Sequence, residues 1–205
     1  WLSLNSNGVM RITPHLEKFK RLKDMIHADS EDFFPHTYGG IITKTGDMWL
    51  ATDGGGINII SADGRLSVLK NNPANKNSLP SDSVISLAQD EYGVVGASMW
   101  AGGITRINPI TLDFESIESN PDKAANKTLM GDHIFSLISD KNDGLWMSVW
   151  DAGLQFYNMR TELFTNYYGE RGNTTNTLHS SQISDLHLVD NELWITGDAG
   201  LEKLN

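Results

Sequence analysis

Short runs in which apolar and polar residues alternate recur along this chain, separated by clusters of Gly, Asn, Asp and Lys. Period-two alternation bounded by turn residues predicts β-strands rather than helices. Three runs are closely alike: Val84-Ile85-Ser86-Leu87, Ile134-Phe135-Ser136-Leu137 and Ile183-Ser184-Asp185-Leu186. The corresponding stretch Tyr38-Gly39-Gly40-Ile41-Ile42 is the weakest of the set. Each run leads into a turn such as Asp90-Glu91-Tyr92-Gly93 or Lys141-Asn142-Asp143-Gly144. Gly, Asn and Asp provide the positive-φ positions that tight hairpins require.

A fixed register underlies these runs. Trp1 and Trp49 lie 48 residues apart, as do Trp146 and Trp194, and Gly96 occupies the place of the missing middle member. A glycine follows seven residues after each anchor (Gly8, Gly56, Gly103, Gly153) and six after Trp194 (Gly200). An aliphatic residue comes next each time: Val9, Ile57, Ile104, Leu154 and Leu201. Each period divides into four strands. In the third full unit these are strand A at 134–138, strand B with the Trp at 145–149, strand C at 154–158 and an outer strand D at 163–167. Four antiparallel strands per repeat of this length predict an all-β chain of β-propeller blades. A parallel β-helix is the rival, but its coils lack a hairpin turn between every strand pair. Residues 15–26 carry apolar positions at helix-like spacing, yet their place in the repeat assigns them to strand D and its connector.

The arithmetic predicts one propeller unit over residues 1–205, with blades or parts of blades at 1–34, 35–82, 83–132, 133–181 and 182–205. Four to five blades predict an open, partial ring. The chain begins with Trp1 rather than Met and is expected to be a piece of something longer.

Bulk properties exclude several classes. The net charge of −10 argues against a nucleic-acid partner, which needs clustered Lys and Arg. No apolar run approaches the roughly 18–20 residues that span a bilayer, so no membrane contact is expected within the chain. There is no cysteine, hence no disulfide and no thiolate metal site.

The segment Ile134-Phe135-Ser136-Leu137 with Asp140, Asp143-Gly144-Leu145-Trp146 and Gly153-Leu154 resembles the two-component regulator propeller repeat. The connector from Asn71-Asn72-Pro73 to Ser81-Asp82-Ser83-Val84 resembles it too. That family implies the extracytoplasmic sensor region of a hybrid two-component histidine kinase. It implies periplasmic placement as part of an inner-membrane protein, an oligosaccharide as signal, and a conformational output to a kinase elsewhere. Gly96 and Gly39-Gly40 depart from the family pattern.

Fold does not give function, so the site is read separately. B–C turns and D–A connectors emerge on one face of a propeller, and the connectors at 70–82, 118–132 and 168–181 are long enough to carry binding. The fourth residue after each anchor varies: Asn5, Asp53, Trp100, Trp150 and Asp198. Exposed Trp beside carboxylates suits a sugar, whose apolar face stacks on indole while its hydroxyls donate to acids. Trp100, Trp150, Asp53, Asp151 and Asp198 are therefore the candidate ligand residues. Two readings of Trp100 and Trp150 stand at this point, packing between blades or contact with ligand. Turn formation is the competing reading of the three Asp residues. Trp49, Trp146 and Trp194, in mid-strand, are assigned to the core.

No catalytic residue, cofactor or metal site is predicted. The six histidines lack metal spacing, although His133 and His179 share the position just before strand A. A propeller lyase built on that pair is the enzyme alternative. A structural arc that forms a homodimer is the other.

Overall fold

The computed structural model describes residues 2–4, 8–13, 16–22, 26, 33–169 and 177–204. They form an open, unclosed β-propeller of successive antiparallel sheets. The first sheet holds β1 (Leu2–Leu4), β2 (Gly8–Thr13) and β3 (Leu16–Arg21). Three four-stranded blades follow. The first comprises β4 (Thr37–Ile42), β5 (Met48–Thr52), β6 (Gly56–Ile60) and β7 (Leu66–Leu69). The second comprises β8 (Val84–Gln89), β9 (Val95–Met99), β10 (Ile104–Ile107) and β11 (Phe114–Ile117). The third comprises β12 (Ile134–Ser139), β13 (Gly144–Val149), β14 (Gly153–Asn158) and β15 (Leu163–Tyr167). A terminal sheet holds β16 (Ile183–Val189), β17 (Glu192–Gly197) and β18 (Gly200–Leu204). Over residues 16–21 the helical alternative does not hold, because β3 pairs antiparallel with β2, while residues 15 and 23–25 lie outside the described residues.

Strand order in each sheet follows the sequence, and β4, β8, β12 and β16 pack against one another as the innermost strands. The core therefore lies between blades rather than within one. Trp49, Ala51 and Ile57 pack on Leu87, Val95 and Ala97 of the next blade. Ala88 and Ile104 meet Leu137, Leu145 and Met147, and Leu154 meets Leu186, Leu193 and Ile195. Trp49 is 1% exposed, and truncating such a side chain typically costs about 3–5 kcal/mol.

Two departures from the repeat have physical reasons. A Cβ on Gly96 would stand 2.9 Å from Leu137 Cδ2, so the neighbouring blade's leucine fills the space that Trp takes elsewhere. A Cβ on Gly40 would stand 2.6 Å from Leu50 Cδ2, so β4 keeps its strand by having no side chain there. The repeated glycine after each B–C turn is set by the backbone. Gly56, Gly103 and Gly153 have φ of 75°, 64° and 117°. A Cβ on them would lie 2.0, 2.2 and 2.4 Å from the carbonyl oxygens of Leu69, Ile117 and Tyr167.

Each innermost strand carries an irregularity that the alternation does not announce. The register of A against B slips between Thr37 and Gly39, Val84 and Ser86, Ile134 and Ser136, and Ile183 and Asp185. A β-bulge of this kind turns one side chain out of the regular pleat, and bulges are enriched beside functional sites.

The D–A connectors are clasped at their bases. Asn71 N donates to Asp82 Oδ1 at 2.6 Å, Ser119 N to Asp132 Oδ1 at 2.5 Å, and Gly169 N to the Ser181 hydroxyl at 3.1 Å. Leu79, Leu129 and Leu178, one per connector, are buried.

Candidate functional site

The B–C turns share one backbone frame. The amides of Asp53, Trp100, Trp150 and Asp198 donate to the carbonyls of His36, Ser83, His133 and Gln182, at 2.9–3.1 Å. The fourth position after the anchor is thus held alike in these four sheets while its side chain is Asp or Trp. In the middle two blades this frame presents tryptophans, 41% exposed at Trp100 and 47% at Trp150.

These tryptophans meet across the blade boundary. Their ring centroids are 6.3 Å apart. Phe135, the bulged residue of β12, stacks on Trp150 at 4.8 Å with 25° between planes. Phe135 also meets Trp100 edge-on at 5.4 Å, and His133 meets it at 5.0 Å and 86°. Packing between blades and exposure to solvent coexist here. The four rings form one aromatic surface with a free side, rather than a closed core.

This surface borders an axial groove of about 510 Å³ lined by Tyr38, Ile85, Trp100, Phe135, Ser184 and Asp185 among others. All four bulged residues, Tyr38, Ile85, Phe135 and Ser184, line it. The bulges thus aim one side chain per blade into the same space. Asp53 joins from one flank, accepting from the Tyr38 hydroxyl at 3.2 Å and the Ser83 hydroxyl at 2.8 Å. Burial pushes the Tyr38 phenol up, and the Asp53 charge and hydrogen bond add to it. On the opposite flank, Asp185 Oδ1 accepts from the Ser136 hydroxyl at 2.9 Å and from Leu186 N.

The sequence-named acids divide. Asp53 reaches the groove through Tyr38. Asp151, at φ 55°, lies beyond the Trp150 turn in a separate cleft of about 520 Å³ with Lys123, Asn166 and Tyr168. Its carboxylate receives one long contact, 3.4 Å from Gln182 Nε2. Asp198 is exposed on the terminal sheet, and Asn5 lies outside the described residues. His133 and His179 have different partners. His133 packs on Trp100, whereas His179 Nδ1 lies 2.9 Å from Glu202 Oε2. Among the described residues no group of three His, Asp or Glu is placed to hold a metal. Phe135, Tyr38, Ser184 and Asp185 are site residues that the alternation does not single out. Their signal is the three-residue spacing of buried Val84 and Leu87, Ile134 and Leu137, and Ile183 and Leu186, which an unbroken strand would not place on one face.

No protein-family model matches the chain, and no curated protein matches it. Solved structures do. The extracellular domain of a protein described as a hybrid two component system, BT4673 from B. thetaiotaomicron, superposes with a TM-score of 0.71 at 18% identity. That match covers 98% of this chain and 27% of the other. PorZ of Porphyromonas gingivalis, a surface component of the type-IX secretion system, gives 0.72 at 15% identity over 98% of this chain and 30% of its own. Virginiamycin B lyase from Staphylococcus aureus gives 0.66 at 16%, over 98% and 60%. The chain spans about three-tenths of the length of the two-component ectodomain and of PorZ. At these identities the likeness is one of fold, shared by the extracellular domain of a two component system, a secretion component and a lyase: this chain is a β-propeller similar in fold to all three.

Proposed function

We propose that the chain is the ligand-reading part of an extracytoplasmic receptor, binding an oligosaccharide and passing a conformational signal to a kinase outside it. The observation that carries this reading is the aromatic surface of Trp100, His133, Phe135 and Trp150 on the face of the variable turns. Indole faces suit the apolar face of a pyranose, and nearby carboxylates accept from its hydroxyls. The architectural likeness to two-component ectodomains supports extracytoplasmic placement. A ligand that contacts several blades at once favours one arrangement of the receptor through its differential affinity for the two states. Titration calorimetry against plant and host oligosaccharides tests the proposal. Binding that disappears in Trp100→Ala and Trp150→Ala is the expected result, and binding that survives both substitutions removes the site.

A second reading rests on a different surface. Val189, Trp194 and Leu201 line an apolar groove on the terminal sheet, where Leu201 is 62% exposed. The equivalent tryptophan of the first full blade, Trp49, is covered by its neighbour. In this reading the face associates with a second copy of the chain. Light scattering over a concentration series checks it: a monomer throughout rejects it, and a dimer lost in Trp194→Asp supports it.

A further inference from the structure

Two positions of the repeat change in step around the axial groove. At the bulge the blades present Tyr38, Ile85, Phe135 and Ser184, and at the turn apex Asp53, Trp100, Trp150 and Asp198. The middle two blades are apolar at both positions, Ile with Trp and then Phe with Trp. The first full blade and the terminal sheet are polar at both, Tyr with Asp and Ser with Asp. The position after the bulge sharpens the profile, with Ser86 and Ser136 in the middle and Asp185 at the end. Nothing in the fold requires this. The backbone frame at the apex is the same in all four sheets, and so is the bulge.

From this profile we infer that the groove selects a neutral, linear oligosaccharide of at least three units, one stacked on the aromatic sector and one over each acidic flank. The inference rests on the oligosaccharide reading above and narrows its ligand class. A ring lying on Trp100, Phe135 and Trp150 sits over the boundary between the middle blades, and the carboxylates of Asp53 and Asp185 lie at the next boundary on either side, where they accept from Ser83 and Ser136. Additional units are what reach them. Both acids keep accepting capacity, since an ionised carboxylate offers about four lone-pair sites. Asp53 Oδ1 and Oδ2 each take one protein donor, while Asp185 has a side-chain hydroxyl and a backbone amide on Oδ1. The same flanks repel a uronate or a sulfated sugar. Among the described residues no Lys or Arg lines the groove to offset that repulsion, and the whole chain carries −10.

The test is calorimetry on the chain with cello-, xylo- and malto-oligosaccharide ladders of one to six units, beside oligogalacturonides of the same lengths and a basic tetrapeptide. A neutral ladder gains tenfold or more in affinity between one and three units and then levels off. Oligogalacturonides bind at least tenfold more weakly than that neutral ladder at low salt, and the gap narrows as salt rises. Asp185→Asn narrows it further by removing one of the two repelling charges. A monosaccharide that binds as tightly as its trimer overturns the inference while leaving the oligosaccharide reading intact. So does an oligogalacturonide that matches the neutral ladders. If the basic peptide binds and no sugar does, the oligosaccharide reading fails and takes this inference with it; if nothing binds, both fail as well.

Discussion

The two ends of the blades are built from the same repeat and have diverged in opposite directions. At the end formed by the A–B and C–D turns, side chains are consumed by local structure. Asp90 Oδ1 accepts from the amides of Tyr92 and Val94, and Asp140 Oδ1 from those of Asn142 and Gly144. Contacts there also tie blade to blade. Lys44 N donates to Gln89 Oε1 at 2.8 Å and Tyr92 donates to Asp143 at 2.8 Å, while Arg160, of the same blade as Asp143, pairs with that carboxylate. At the end formed by the B–C turns, the frame is equally fixed but the apex residue varies, and it is aromatic or acidic. Separating a rigid frame from a variable tip is how a repeated scaffold acquires a site without losing its stacking.

Four experiments press on that contrast. The strongest effect belongs to the frame of the free end. Gly103→Ala places a Cβ 2.2 Å from the Ile117 carbonyl oxygen at positive φ, and a loss of about 3 kcal/mol is expected in denaturant unfolding. A loss under about 1 kcal/mol would mean that the frame yields. The apex should behave in the reverse manner. Trp100→Ala and Trp150→Ala leave unfolding within about 1 kcal/mol of the parent, whereas oligosaccharide affinity falls by about 30-fold or more for each. Equal losses in stability and binding would erase the distinction between tip and frame.

At the locked end, Asp140→Ala strands two turn amides and should cost about 1–2 kcal/mol in thermal unfolding, with binding unchanged. The smallest effect appears only in alkali. The Tyr92 phenol is pushed up to about 12, first by its hydrogen bond to Asp143. A raised tyrosine pKa makes the neutral donor's contribution complete below the ordinary value near 10 and lost as pH rises through about 12. Ultraviolet titration should show a late-ionising tyrosine that is absent in Tyr92→Phe. A late-ionising phase that persists in Tyr92→Phe, with the lost amplitude falling near pH 10 instead, would exclude the Tyr92–Asp143 link between blades.

The blades are legible in the sequence because a mid-strand Trp, a positive-φ glycine and an aliphatic residue recur at one spacing where sheets stack. Gly96 breaks the Trp register for a reason written in another blade, Leu137, which a local reading cannot pair with it. The site is half legible. Trp100 and Trp150 stand out because the repeat fixes everything around them. Phe135 and Ser184 do not, because alternation assigns a strand residue to one of two faces and a bulge adds a third direction. The separation of Asp151 from the groove depends on its left-handed backbone, where the corresponding turn of the first full blade has Gly54 at φ 94°.

The clasps beneath the D–A connectors bear on engineering. A loop whose ends are already held, by Asp82 on Asn71 or by Asp132 on Ser119, and whose Leu79 or Leu129 is sunk in the core, presents its remaining residues as a graft site. Lengthening such a loop at the exposed stretch from Ala74 to Lys76, short of the Asn77 side chain that bonds Leu112 O and Phe114 N, adds the entropy of a larger closed ring, about 0.6 kcal/mol for each doubling. Foreign recognition segments could then be inserted blade by blade while the stacked sheets below keep their register.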